Sequence, residues 1–170
     1  MSQHIQTLID EIHLAFKDVK LGNGTSWREA AVLDDYGTIA QRQAARALDE
    51  KEDWTRIPFS LVSDLKYQDV MPFIDVTGLR FYLPVCMIYI LKEHKHSNSL
   101  IIHSTIYALT RKSTVIELKA ILNEAQQQAI IHFLECCLIL GDDYIDLHKV
   151  EERLENYWKN LLDTFSPDVY

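Results

Sequence analysis

Ile5, Leu8, Ile9, Ile12, Phe16 and Val19 recur three and four residues apart, with acids and lysines between them. That period predicts an amphipathic first helix with one apolar stripe turned to a core. Gly22 and Gly24 end it. Thr25 or Ser26 caps a second helix, because Glu29 follows Ser26 by the three residues a capping box requires, and Gly37 stops it. Thr38 begins a third, alanine-rich helix through Gln41, Ala44, Ala45 and Leu48, whose small side chains let a neighbouring helix come close. It runs out in the acidic stretch Asp49 to Asp53.

Trp54, Ile57 and Pro58 read as an irregular connector, since the residue before a proline is pushed out of helical geometry. Ser60 to Leu65 suits one helical turn. Residues 70–83 are the least helical part of the chain. Asp75 and Gly78 fit the first and fourth positions of a type I turn, and β-favouring residues flank them, so a short β-hairpin is expected there. Pro84 fits the first turn of a buried helix that reaches about Lys95. Further caps are expected at Ser97 or Asn98, at Ser113 or Thr114, at Asn123 with Gln126, and at Asp146. In the last helix Leu147, Val150, Leu154, Tyr157, Trp158 and Leu161 are in register, and positions 147, 150, 154, 157 and 161 alternate by three and four, as in a coiled-coil seam. Packing within its own domain is the simpler reading of that seam, and a homodimer through it is the other. The pattern as a whole reads as all-α: a single helical domain over residues 1–165, with a loose tail over 166–170.

Composition adds limits. A chain of 170 residues, 48 % hydrophobic and 25 % charged, buries enough surface to fold without disulfides or metal. A net charge of −8 and the lack of a basic stripe argue against nucleic acid. No basic region followed by an apolar stretch opens the sequence, and the longest apolar runs fall short of the ~20 residues a membrane helix needs, so neither a signal peptide nor a membrane span is expected. Cys86, Cys136 and Cys137 lie in apolar runs and read as reduced core residues of a cytoplasmic protein.

Candidate chemistry is sparse. His94, His96 and His103 make a poor metal set, because residues two apart on a helix face different sides, and neither metal nor cofactor is expected. Neither a nucleophile elbow nor a glycine-rich phosphate loop occurs. The paired acids Asp34-Asp35, Asp142-Asp143 and Glu151-Glu152 read as hydrated surface. The most unusual segment sets Asp75, Arg80 and Tyr82 into an otherwise apolar run. A half-buried arginine needs a partner, so Arg80 is expected to pair with Asp75 or Asp34; a ligand-binding arginine is the alternative.

Taken in order, Ser26-Trp-Arg-Glu-Ala30, Asp34, Tyr36-Gly37, Ala45-Arg46, Asp49, Asp53-Trp54, Ile57-Pro58 and Phe73-Ile-Asp75-x-x-Gly78-x-Arg-Phe-Tyr-Leu-Pro84 form a distinctive series. Over roughly residues 8 to 140 it resembles a family of small, uncharacterised bacterial proteins. The resemblance implies a shared fold and a bacterial origin, and it carries no activity. The chain departs from that pattern at Val85-Cys86, where a small residue and an aromatic are expected.

The functional reading is a non-enzymatic, acidic protein-binding domain of the toxin-neutralising kind. Asp34 to Asp53 and Asp142 to Glu155 would then form one acidic face for a basic protein partner. Its rival is a small-ligand binder or cryptic enzyme with a site drawn from Asp34, Asp75, Arg80 and Tyr82.

Overall fold

The computed structural model describes residues 2–67, 70–97, 99–141 and 147–160. Helix α1 (Ser2–Ala15) lays its apolar stripe inward, with Leu8, Ile9 and Ile12 buried. That stripe meets α5 (Val76–Glu93) and α8 (Glu124–Leu140), while α6 (Ile101–Thr110) and α7 (Lys112–Ile121) close around the other side of α5. Four-residue α4 (Phe59–Val62) and three short 3₁₀ turns thread the connector between the outer hairpin, α2 (Trp27–Asp34) and α3 (Ile39–Ala47), and the core. α9 (Leu147–Arg153), continued as a π-helical turn over Leu154–Lys159, packs behind α6 and α8.

Helix α5 is the axis of the fold. From Leu79 to Leu91 every residue except Arg80 is buried, and a helix apolar on all sides belongs in a core. The same property hides it in the sequence, because a continuous apolar run has no helical period to read. The hairpin expected over residues 70–83 is therefore corrected: no described residue is in a strand, Met71–Phe73 forms a 3₁₀ turn, and α5 begins at Val76. Asp75 and Gly78 do interact, but as an N-cap, the carboxylate accepting the Gly78 N–H at 2.7 Å. Pro84 lies inside α5 and leaves the Arg80 carbonyl without its helical bond. Burial of the helix outweighs that local loss.

Caps are legible where an Asx or hydroxyl side chain precedes a glutamine at the third helical position. Thr38 with Gln41 and Asn123 with Gln126 each form a capping box at the expected place. Two other starts differ. α6 begins at Ile101, whose N–H is met by Ser99, and α7 begins at Lys112 after an extended Arg111. Asn98, Asp146, the pair Asp142-Asp143 and the tail lie outside the described residues.

Over the described residues the seam of the last helix is turned to its own domain, and Leu161 lies outside them. Val150, Leu154 and Trp158 are buried, and the Trp158 indole donates to the Leu109 carbonyl at 2.8 Å. Cys86 and Cys137 are buried and Cys136 is half-buried, all three as free thiols. Burial pushes the Cys86 thiol up to about 12, far from a reactive thiolate. Among the described residues no helix is long and apolar enough to cross a membrane.

Candidate functional site

The polar residues of the outer hairpin are wired to one another. Glu29, on α2, receives Arg42 Nη2 on Oε1 and Arg46 Nη1 on Oε2, both at 3.0 Å, and the Ser26 backbone N–H at 3.2 Å. Arg46 goes on to donate to the carbonyls of Gly24 and, at 2.6 Å, Gly22. On the other flank Asp49, whose side chain is fully buried, accepts the Arg28 backbone N–H at 2.8 Å and its guanidinium at 2.6 Å. The first N–H groups of a helix have no intrahelical acceptor, so Glu29 and Asp49 both complete the start of α2 and anchor α3 to it.

Two of the expected site residues support this hairpin from beneath. The Tyr82 hydroxyl accepts the Trp27 N–H at 3.0 Å, and its ring packs at 5.1 Å from the Trp27 indole. Burial, then the nearby Asp49 carboxylate, raises the Tyr82 phenol above its ordinary range, so it stays protonated. Asp75 accepts from Thr25 N–H at 3.1 Å as well as from Gly78, tying the loop before α2 to the first turn of α5. The backbones touch here: a Cβ on Gly78 would collide with the Thr25 carbonyl and with Ile74.

The outer surface of the hairpin is bare. α3 contains no buried residue, and Ile39 and Leu48 are each 73 % exposed. Tyr36, at the tip, is 98 % exposed and holds a left-handed φ of 55°, a conformation that costs a non-glycine residue. Asp34 and Asp35 beside it are exposed and form no ion pair among the described residues. The rest of the acidic stretch is spent internally: Asp49 on Arg28, Glu50 on the N–H groups of Lys51, Glu52 and Asp53, Glu52 on Lys20 and Asp53 on Thr55.

Arg80 stands apart. It is half-buried, as expected, but the ion pair with Asp75 or Asp34 is corrected: Arg80 Nε donates to the amide oxygen of Gln126 at 3.3 Å and pairs with no carboxylate among the described residues. The reason is the helix. At about 100° per residue, positions 75 and 80 lie roughly 140° apart around α5, and 80 and 82 about 160° apart. Tyr82 therefore faces α2 while Arg80 opens into a groove of about 560 Å³ between α1, α5 and α8. Asp34, Asp75, Arg80 and Tyr82 do not converge on one site. Among the described residues, no three His, Cys, Asp or Glu side chains are grouped to hold a metal ion.

The Glu29 cluster carries a pH signature. Burial by itself would raise this carboxyl, but the Ser26 N–H and the Arg46 and Arg42 guanidiniums outweigh it and hold it below its ordinary value of 4.5. A depressed carboxyl contributes stability above its unfolded value and loses it as pH falls through the folded one. Amide exchange should accordingly show α3 losing protection as pH falls below 4.5, while the α5 amides stay protected. Equal loss in both helices would place the acid-sensitive contact elsewhere.

Sequence reasoning missed Arg28, Glu29, Arg42 and Arg46 as a unit. Their signal was in the distinctive runs Ser26-Trp-Arg-Glu-Ala30 and Ala45-Arg46 with Asp49, which the fold brings face to face. A family model described as "Family of unknown function (DUF6714)" matches residues 4–162. No curated protein and no solved structure matches the chain.

Proposed function

The chain belongs to that family, and we propose that it is a non-enzymatic protein-binding domain that presents the α2–α3 hairpin to a basic partner. One observation carries this reading: α3 buries no side chain, yet three arginines and two carboxylates fix it in place. A helix with none of its own residues buried contributes little to a core. Held rigid, it costs less entropy to dock. Its exposed row of Ile39, Ala40, Ala44 and Leu48 offers an apolar centre, Tyr36 a large anchor with few torsions to freeze, and Asp34 and Asp35 a rim that steers cations.

The acidic balance of the chain supports a basic protein rather than nucleic acid, and the toxin-neutralising role belongs here, because covering a cationic surface is what an immunity-type protein does. The three free thiols support a reducing compartment such as the cytoplasm.

The test is a pull-down from the native cell with wild type, Tyr36→Ala, and Asp34→Lys with Asp35→Lys. All these side chains are exposed, so the variants should melt like wild type. A captured basic protein should be lost with Tyr36→Ala, and the double charge reversal should slow its association and flatten its salt dependence. A partner retained by both variants would remove the hairpin from the interface.

A further inference from the structure

We infer that the groove between α1, α5 and α8 binds a small zwitterion, a free amino acid or a close relative, with Arg80 gripping its carboxylate. Arg80 is the one residue between Leu79 and Leu91 that the core leaves uncovered, on the helix that is otherwise the most deeply buried. An apolar side chain would be the default there. Instead the position carries a guanidinium that forms no ion pair among the described residues.

That guanidinium is held ready. Gln126 is 2 % exposed and wired on both sides: Oε1 accepts from Arg80 Nε and from the Asn123 N–H, each at 3.3 Å, and Nε2 donates to the Ala15 carbonyl at 3.1 Å. Arg80 is thus anchored through Nε, while Nη1 and Nη2 form no hydrogen bond among the described residues. Two parallel N–H groups on a planar fork match the two oxygens of a carboxylate.

The remaining lining selects the rest of the ligand. Lys17 adds a second positive charge to the lining, and Glu11 and Asp18 add two negative ones, so the groove is formally neutral. Glu11 is engaged with His132 at 2.9 Å, whereas Asp18 is exposed and forms no ion pair among the described residues. A phosphate dianion would meet repulsion from these acids that a carboxylate with its own ammonium does not. The start of α8, at Asn123 and Ala125, adds its positive dipole end to the carboxylate side. A volume of about 560 Å³ is in the range of small-molecule sites.

The experiment titrates the purified chain with each free α-amino acid, following the Arg80 Nε–H and Gln126 side-chain amide signals by NMR. The same amino acids as N-acetyl derivatives and as amides, and inorganic phosphate, serve as controls. At least one free amino acid should saturate both signals, and losing either charge should weaken it by about tenfold or more. Arg80→Gln should abolish binding. Asp18→Asn, on the surface and safe for folding, should weaken the free amino acid and leave its N-acetyl form unchanged. Phosphate or an N-acetyl derivative binding as tightly as the free amino acid, or no saturable shift from any probe, would overturn the inference.

Discussion

Arg28→Ala should lower the unfolding free energy by about 4 kcal/mol at neutral pH. The asymmetry of the pair sets the size: the Arg28 side chain keeps 32 % of its surface in water and that of Asp49 keeps none. Deleting the arginine strands a fully buried carboxylate with only one backbone N–H for company. Deleting the acid instead leaves a guanidinium already at the surface, free to turn outward, so Asp49→Ala should cost about 2 kcal/mol. Urea titrations of the three proteins at neutral pH measure the two losses. If the two variants lie equally far below wild type, Asp49 is not a buried charge held by Arg28.

One physical line separates the contacts a sequence shows from those it hides, namely how far apart in the chain the partners lie. Features set by neighbours in the chain were legible: the stripe from Ile5 to Phe16, and the boxes at Thr38 and Asn123, depend on spacings of three and four. Asp75 and Gly78 were recognised as interacting, but the same three-residue spacing serves a turn and a helix cap, and only the burial of everything from Phe81 to Leu91 decides between them. The hairpin network was not legible as a unit. Glu29 reaches Arg42 and Arg46 from 13 and 17 residues away, Arg28 reaches Asp49 from 21, and Trp27 reaches Tyr82 from 55. Spacing rules say nothing at such separations. The rule that a half-buried charge needs a carboxylate also misdirected the reading of Arg80, whose Nε donates instead to the buried amide of Gln126. What the residues alone could not supply was direction: Arg80 and Tyr82 are two apart in the chain and serve opposite sides of α5.

Gly78→Ala should destabilise the fold by about 3 kcal/mol, against the sign that helix propensity alone would give. Inside α5 an alanine gains about 1 kcal/mol over glycine by limiting the unfolded backbone. At this position the new methyl would run into the Thr25 carbonyl and Ile74. The carbonyl belongs to a loop that has little room to yield, since Thr25 N–H is bound to Asp75, Arg46 holds the carbonyls on either side of Asn23, and Trp27 N–H is bound to Tyr82. Overpacking a rigid contact costs about 1–3 kcal/mol, and each hydrogen bond released by the retreat of the loop adds about 1 more. The penalty therefore exceeds the propensity gain. Gly24→Ala meets the same contact from the other side, where its Cβ would stand 2.5 Å from Gly78 N, and should cost a similar amount. The two together should cost less than their sum, because the first substitution already separates the backbones that the second would force apart. Gly141→Ala is the control, with open space around it and only a left-handed φ of 54° to strain, worth about 1 kcal/mol. Thermal and urea unfolding of the four variants test the ranking, and near-UV circular dichroism of Trp27 reports the shift of α2. A Gly78→Ala protein that melts at or above wild type would mean that α5 and the loop before α2 are not in backbone contact, and that the hairpin is carried by its ion pairs alone.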